Sequence, residues 1–295
     1  MEEDQIEPEI QCAVVAASSG SLDEVENHDD LLHILRMNIH MGGLNHLDGI
    51  DMHPEAFYLW QQEFPYERAS TSPPSEKAVR TLFRELADLG YREAIVTLPS
   101  AYLDDISKPV VRVAEEMAGS LTVYPIDTGT VCMPEGHFAL EAVRLLRLGM
   151  CARDVVDYLN RLKEKTEIVF SLHSLHHLRK SRFVYSGIHL SSLLNLKPVF
   201  HLHNGKLLQL DSGRKSENIL DSLVDTVNSK TRGRQIRAYG LYAGNRQLYN
   251  QFAEKIRTKT NIELSDFPIS PVVGAYIGPD AVGIGWVEEI ADSAG

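Results

Sequence analysis

Cysteine, basic charge and long apolar runs are all scarce in this 295-residue sequence. The three cysteines, Cys12, Cys132 and Cys151, are far apart and show no CxxC spacing, which argues against a disulfide framework or a zinc knuckle and for reduced, partly buried thiols. With 29 Lys+Arg against 41 Asp+Glu the net charge is −12, so a general nucleic-acid binder, which needs a basic stripe to displace counterions, is excluded. No uninterrupted apolar stretch approaches the roughly 18 residues that cross a bilayer. The opening Met1-Glu-Glu-Asp is acidic where a secretory signal is basic, so the expected location is the cytoplasm. An acidic surface is repelled by an anionic leaflet, and stable membrane association is not expected. The phosphate-cradling patterns GxxxxGK[ST] and GxGxxG are missing, and so is the GxSxG nucleophile elbow.

What is present reads as α/β. Residues 1–10 carry acidic charge without apolar period and form a flexible tail in this reading. Cys12 to Ala17 is a short buried strand ended by Ser18-Ser-Gly-Ser; Leu31 to Met41 reads as a second strand with Gly42-Gly43 as its turn. From Ser75 to Leu89, apolar residues recur at three- and four-residue steps with Gly90 at the C′ position, which predicts a helix. Strands at Ala94–Leu98 and Leu121–Ile126 alternate with a helix capped by Ser107, and further helices are expected near 134–148 and 152–165. This alternation calls for parallel pairing with crossover helices. A strand at Glu167–Leu172 then leads to a hairpin over 198–210 turning at Asn204-Gly205, so the second half contains antiparallel strands. A helix at 216–228, a strand at 235–242, a helix at 245–258 and a closing segment at 272–286 complete it. The expected domains are 11–165 and 166–295.

Twelve histidines invite a metal reading, but His173 and His177 lack an HExxH glutamate, and the pair His201 and His203 has no carboxylate nearby in sequence. No metal site is expected. Asp104-Asp105 reads as helix-start charge. Two hydroxyl-rich turns remain. Thr71-Ser-Pro-Pro-Ser75 gathers hydroxyls and backbone N–H groups before a helix, where an anion is favoured. Ser100 follows a strand at its carboxyl end, where open α/β sheets place ligands. Caps are the ordinary use of such residues. Together they suit a carboxylate held by neutral donors.

In order along the chain, these segments resemble the DegV family of fatty-acid-binding proteins. Gly42-Gly43 with Leu47-Asp-Gly-Ile and Phe57-Tyr fits the early segment of that family, Thr71-Ser-Pro-Pro-Ser75 its TSQPS loop, and Leu98-Pro-Ser100 its ISS. Asp127-Thr fits DS, Leu175 to Arg182 resembles L-x-x-L-x-K-G-G-R-I, Leu193-Asn-Leu-Lys-Pro-Val fits L-x-I-K-P-I, and Gly278-Pro-Asp-Ala-Val-Gly is close to GPGALG. The departures are Ala16-Ala17-Ser18 for TDS, Tyr102-Leu-Asp-Asp-Ile for LSGTY, Lys180-Ser-Arg182 for GGR, and Tyr276 for the histidine before the last GPG.

The resemblance implies the two-domain DegV (EDD) fold: a largely parallel N-terminal α/β domain, and a second α/β domain with antiparallel strands and an acyl-chain tunnel. It implies a long-chain fatty acid as ligand, no other cofactor and no catalytic residue of the chain's own. Similarity to the lipid-presenting subunit of bacterial fatty acid kinase implies a separate ATP-dependent kinase subunit as partner. By this match Thr71 and Ser100 hydrogen-bond the carboxylate, and Arg182, Arg214 and Tyr276 face the partner or the acyl phosphate. Tyr276 donates only a neutral hydrogen bond at pH 7, where a histidine can carry charge. Two alternatives therefore stay open beside the kinase-coupled carrier: a lipid-sensing regulatory module without kinase coupling, and an enzyme with its own acyl-transfer or acyl-hydrolysing activity.

Overall fold

The computed structural model describes residues 10–26, 29–172, 177, 198–210 and 219–290. It contains two α/β domains. In the first, β1 (Cys12–Ala17), β2 (Leu32–Leu35), β6 (Glu93–Leu98) and β7 (Thr122–Asp127) form an all-parallel sheet in the order β2-β1-β6-β7. Every residue of β1 is buried, because helices cover both faces of a parallel sheet; its unbroken apolar run is the signature of that position. The sheet reverses its direction of winding between β1 and β6, and the crevice at their carboxyl ends is where such a sheet accepts ligands.

The segment 31–41 is not one strand. It divides into β2 and β3 (Asn38–Met41), and β3 joins β4 (Leu44–Leu47) and β5 (Ser70–Ser72) in a small antiparallel sheet, β4-β3-β5. The break falls at Met37, whose N–H donates to Ser18 Oγ at 3.2 Å and whose carbonyl accepts from the Asp48 N–H at 3.0 Å, so the chain exchanges one sheet for the other. Helix α1 (Pro54–Glu63), which sequence reading passed over, starts on a proline and buries Phe57, Tyr58 and Gln61, while Leu59 faces solvent and blurs the apolar stripe. Helix α2 (Glu76–Asp88) lies where its periodicity predicts. Helix α3 (Ser107–Met117) is capped differently from the expectation: Asp104 Oδ1 accepts from the Ile106 N–H at 2.7 Å, and Ser107 is already helical.

Helix α4 (Cys132–Arg147) is buried over most of its length and touches β1 and β6 of the first sheet as well as β11 (Ile236–Tyr242) and β13 (Val282–Glu288) of the second. Its first turn packs backbone to backbone on the turn after β1: a Cβ on Gly136 would lie 2.4 Å from the Gly20 carbonyl oxygen. Gly136→Ala is therefore expected to cost about 2 kcal/mol, as overpacking of a filled core does, read as a lower urea midpoint with an unchanged m-value. An unshifted midpoint would mean that this contact relaxes at no cost.

Helix α5 (Ala152–Leu162) leads to β8 (Thr166–Ser171), the first strand of a six-stranded mixed sheet ordered β10-β9-β8-β13-β11-β12. β9 (Val199–His203) and β10 (Lys206–Leu210) form the expected hairpin, with Asn204 and Gly205 at φ 46° and 76° in the left-handed region that the Asn-Gly pair favours. Helices α6 (Ile219–Thr231) and α7 (Arg246–Lys259) cover one face over Leu223, Phe252 and Trp286. The expected closing segment splits into helix α8 (Pro271–Ile277) and β13, and edge strand β12 (Leu264–Pro268) was not foreseen. α8 reaches back to β3, β5 and α1 of the first domain. Among the described residues no helix is long and apolar enough to cross a membrane.

His201 does have a carboxylate partner, contrary to expectation. Its Nε2 lies 2.6 Å from Glu167 across the sheet, and Lys230 and Arg234 bond the same carboxylate at 3.2 and 2.8 Å. These partners outweigh burial and hold Glu167 down at about 2. The cluster is a pinned ion network, and among the described residues no group of three or more His, Cys, Asp or Glu is placed to hold a metal. His173 and His176 lie outside the described residues.

Candidate functional site

The switch-point crevice receives Ser18 and Ser19 from the end of β1 and Ser100 from the end of β6. Ser100 is fully buried. Its N–H donates to the Thr130 carbonyl at 2.9 Å, its carbonyl accepts from Leu103 and Asp104, and its Oγ accepts the Tyr102 N–H at 3.3 Å. The β9–β10 hairpin closes over it: the Gly205 N–H donates to the Gly129 carbonyl at 2.7 Å, and a Cβ on Gly205 would stand 2.9 Å from Ser100 Oγ. Gly205 thus serves twice, as the turn residue and as the one residue type that allows this approach.

Thr71 is not in a helix-start loop. It sits in β5 opposite Ile39, and only Ser75 caps α2, accepting the Ala78 N–H at 3.2 Å. Its side chain meets α8, whose Tyr276 hydroxyl lies 2.5 Å from Thr71 Oγ1. Tyr276 then borders a small cavity together with Ser19, Pro99, Leu103 and Asp104, whereas neither Thr71 nor Ser100 is among the residues that line it. Arg182 and Arg214 lie outside the described residues.

Sequence reading missed several polar groups here. Ser19 lies 2.8 Å from both carboxyl oxygens of Glu135, in the first turn of α4. Burial, opposed by the Ser19 hydrogen bond and reinforced by Asp104 and Asp48, pushes the Glu135 carboxyl well above the carboxylate range. Thr130 Oγ1 is buried and has no partner among the described residues. A histidine does reach this end of the fold: the His177 ring packs against Gly278, so closely that a Cβ there would meet Cδ2 at 2.3 Å. None of these carries a motif signal, because their partners are remote in sequence; Ser19 and Glu135 are 116 residues apart.

Behind the polar groups the seam between the domains is apolar. A second small cavity is lined by Val131 and Cys132 at the head of α4, Phe170 and Leu202 from the second sheet, and Val273 and Ile277 of α8. Val131 and Val273 also line the first cavity, so the two cavities are neighbours separated by these side chains, with Tyr276 on the outer one. At about 20 and 30 Å³ each has roughly the room of one water. Cys132 stands at φ 59°, a strained value for a non-glycine residue, at the point where α4 meets the inner one. The arrangement offers an apolar seam bordered by hydroxyls and acids.

Comparison with known proteins gives a consistent result. A family model described as "Uncharacterised protein, DegV family" matches residues 11–289. DegV domain-containing protein BH3627 of Halalkalibacterium halodurans is 24% identical over 226 residues, covering 75% of this chain and 78% of its own. The crystal structure of DegV, described as a fatty acid binding protein from Bacillus subtilis, superposes with a TM-score of 0.84 at 21% identity, covering 95% of this chain and 99% of that one. A DegV family protein from Thermus thermophilus, whose structure is described for its fatty acid binding, gives a TM-score of 0.81 at 22% identity, covering 95% and 100%.

Proposed function

The chain belongs to the DegV family, and on that premise we propose that it is a carrier without catalysis of its own, which holds a long-chain fatty acid in the seam between its domains and presents the carboxylate at the Tyr276 mouth. The observation that carries this reading is the pair of neighbouring seam cavities that share Val131 and Val273, the outer one bordered by Tyr276 of the Thr71–Tyr276 hydroxyl pair. A sixteen-carbon chain has about 14 methylenes, and burying them at about 0.8 kcal/mol each supplies roughly 11 kcal/mol before ordering costs. The chain therefore dominates affinity and the polar end sets orientation. Neutral donors suit this task, since a hydroxyl is cheaper to bury than a cation. The division into domains 11–165 and 166–295 is part of the proposal, the second starting with β8 at Thr166.

Thr71→Ala and Ser100→Ala are each expected to weaken fatty-acid binding by about 1 kcal/mol, close to fivefold, as for one lost hydrogen bond. Native mass spectrometry of the purified protein, followed by lipid extraction, tests the reading as a whole. A stoichiometric fatty acid is the expected result, and a protein that stays empty after incubation with C14 to C18 acids would end it.

The partner in this proposal is an ATP-dependent fatty acid kinase subunit, toward which Arg182 and Arg214 would face. The 2.5 Å Thr71–Tyr276 bond favours a second reading, a lipid-sensing regulatory module, because it engages the hydroxyl that stands at the histidine position of the family motif. ATP-dependent acyl-phosphate formation with an added kinase subunit separates the two. The cytoplasm is the proposed location, without nucleic-acid binding or stable membrane residence, given the −12 charge. Co-sedimentation with anionic liposomes at physiological salt would contradict it.

A further inference from the structure

On the other side of α4 lies a polar cavity of about 320 Å³ that the acyl path does not use. It opens between α4, α5 and the ends of β11 and β13, and among the described residues it shares no lining residue with the two seam cavities. Its volume is at the lower end of the range for small-molecule sites.

His137 of α4 lines it and is only 9% exposed. Its Nδ1 lies 2.8 Å from the Tyr239 hydroxyl, while Nε2 has no partner among the described residues. The tautomer follows from the neighbours. Burial raises the Tyr239 phenol to about 12, so it keeps its proton, and the nearby Arg237 guanidinium, which opposes the rise, can only donate. The buried phenol must then place its own proton, and Nδ1 is the acceptor at hand. Nε2 consequently carries the hydrogen, a donor on a side chain that lines the cavity. Burial, with Arg237 and Arg144 nearby and opposed by Glu141, keeps this imidazole neutral by pushing it down to about 4.

The charges around the cavity divide by function. Glu141 is clamped by Arg144 through two bonds of 2.9 and 2.7 Å. Glu288 pairs with Lys165 at 3.3 Å and Arg234 at 3.8 Å. Arg237 and Glu289 also line the cavity, and neither has an ion pair among the described residues. A buried donor in the floor and one unpaired, exposed charge of each sign at the rim suit a ligand that is itself dipolar. We propose that this cavity is a second ligand site, for a small zwitterion of the α-amino acid class, its carboxylate on the His137 Nε2–H and Arg237 and its ammonium toward Glu289. It lies close to the seam cavities, His137 standing five residues along α4 from Cys132, which lines one of them.

The test is a titration of the full-length protein with the proteinogenic amino acids at millimolar concentration, monitored by the imidazole ¹H–¹⁵N signals of His137 and by thermal shift. Acetate and ethylamine serve as single-charge controls. The expected result is that at least one amino acid moves the His137 Nε2 signal and raises the melting temperature, while neither control does so. Arg237→Gln and Glu289→Gln, both at exposed positions, should each weaken that binding about tenfold, the effect of losing one charged hydrogen bond. Silence from the whole panel, binding of acetate as tight as that of the best amino acid, or unchanged affinity in both variants would each overturn the proposal. Fatty-acid content, measured on the same samples, reports separately on the carrier reading.

Discussion

Replacing Asp48 by Asn should stabilise this protein at pH 8 and leave it nearly unchanged at pH 4. Asp48 ends the small antiparallel sheet and is 1% exposed. Its Oδ2 is buried without a partner, and burial raises the carboxyl to about 7 from an ordinary 3.8, with Asp23 adding to the rise and Ser18 and Arg36 opposing it. Between those two values the folded protein binds a proton that the unfolded chain has released. The contribution of Asp48 is therefore fully present below about pH 4 and is lost as pH rises through 7. The rise from 3.8 to about 7 corresponds to about 4 kcal/mol at most. Asn keeps the shape and a donor and cannot ionise. Urea denaturation of both proteins at pH 4 and pH 8 gives the difference directly. Parallel stability profiles would show that Asp48 does not titrate on unfolding. Glu135, raised in the same direction, leaves part of the slope in the variant.

A comparable effect on function is expected from Val273→Trp. Val273 lies in α8, 6% exposed, and lines both seam cavities, so an indole there fills the point where the proposed mouth joins the interior. An acyl chain that enters at Tyr276 must pass it. Copurified fatty acid should fall by at least tenfold, while overpacking lowers stability by about 1–3 kcal/mol. Far-UV circular dichroism and the urea midpoint distinguish a blocked path from a lost fold. A folded variant that still retains one fatty acid per chain would remove the seam from the proposal and leave the Thr71–Tyr276 pair without a role in binding.

Much of the architecture could be read from the sequence because it rests on local rules. The period of α2, the buried run of β1 and the Asn204-Gly205 turn are each decided within a few residues by backbone geometry and side-chain alternation. The resemblance added the family through ordered short motifs, each weak alone. Where sequence reading went wrong, a distant partner overrode the local rule. The 31–41 segment breaks because Ser18 and Asp48 hold Met37, Thr71 is a strand residue because β3 pairs with it, and His201 meets Glu167 across the sheet.

The amino-acid sequence by itself determines the class of this protein: an acidic two-domain α/β chain with the DegV signature, a parallel sheet before an antiparallel one, and hydroxyls at the strand ends. Tertiary structure alone decides what those hydroxyls face. Tyr276 reaches Thr71 over 205 residues, and Glu135 reaches Ser19 over 116. Contacts of that range are set by how two sheets share helix α4, and no periodicity or short motif encodes them. The same packing divides the space around α4 into an apolar seam on one side and a polar cavity on the other. Burial then shifts the Glu135 and Asp48 carboxyls up and the His137 imidazole down, a property that belongs to the folded environment and not to the residue type.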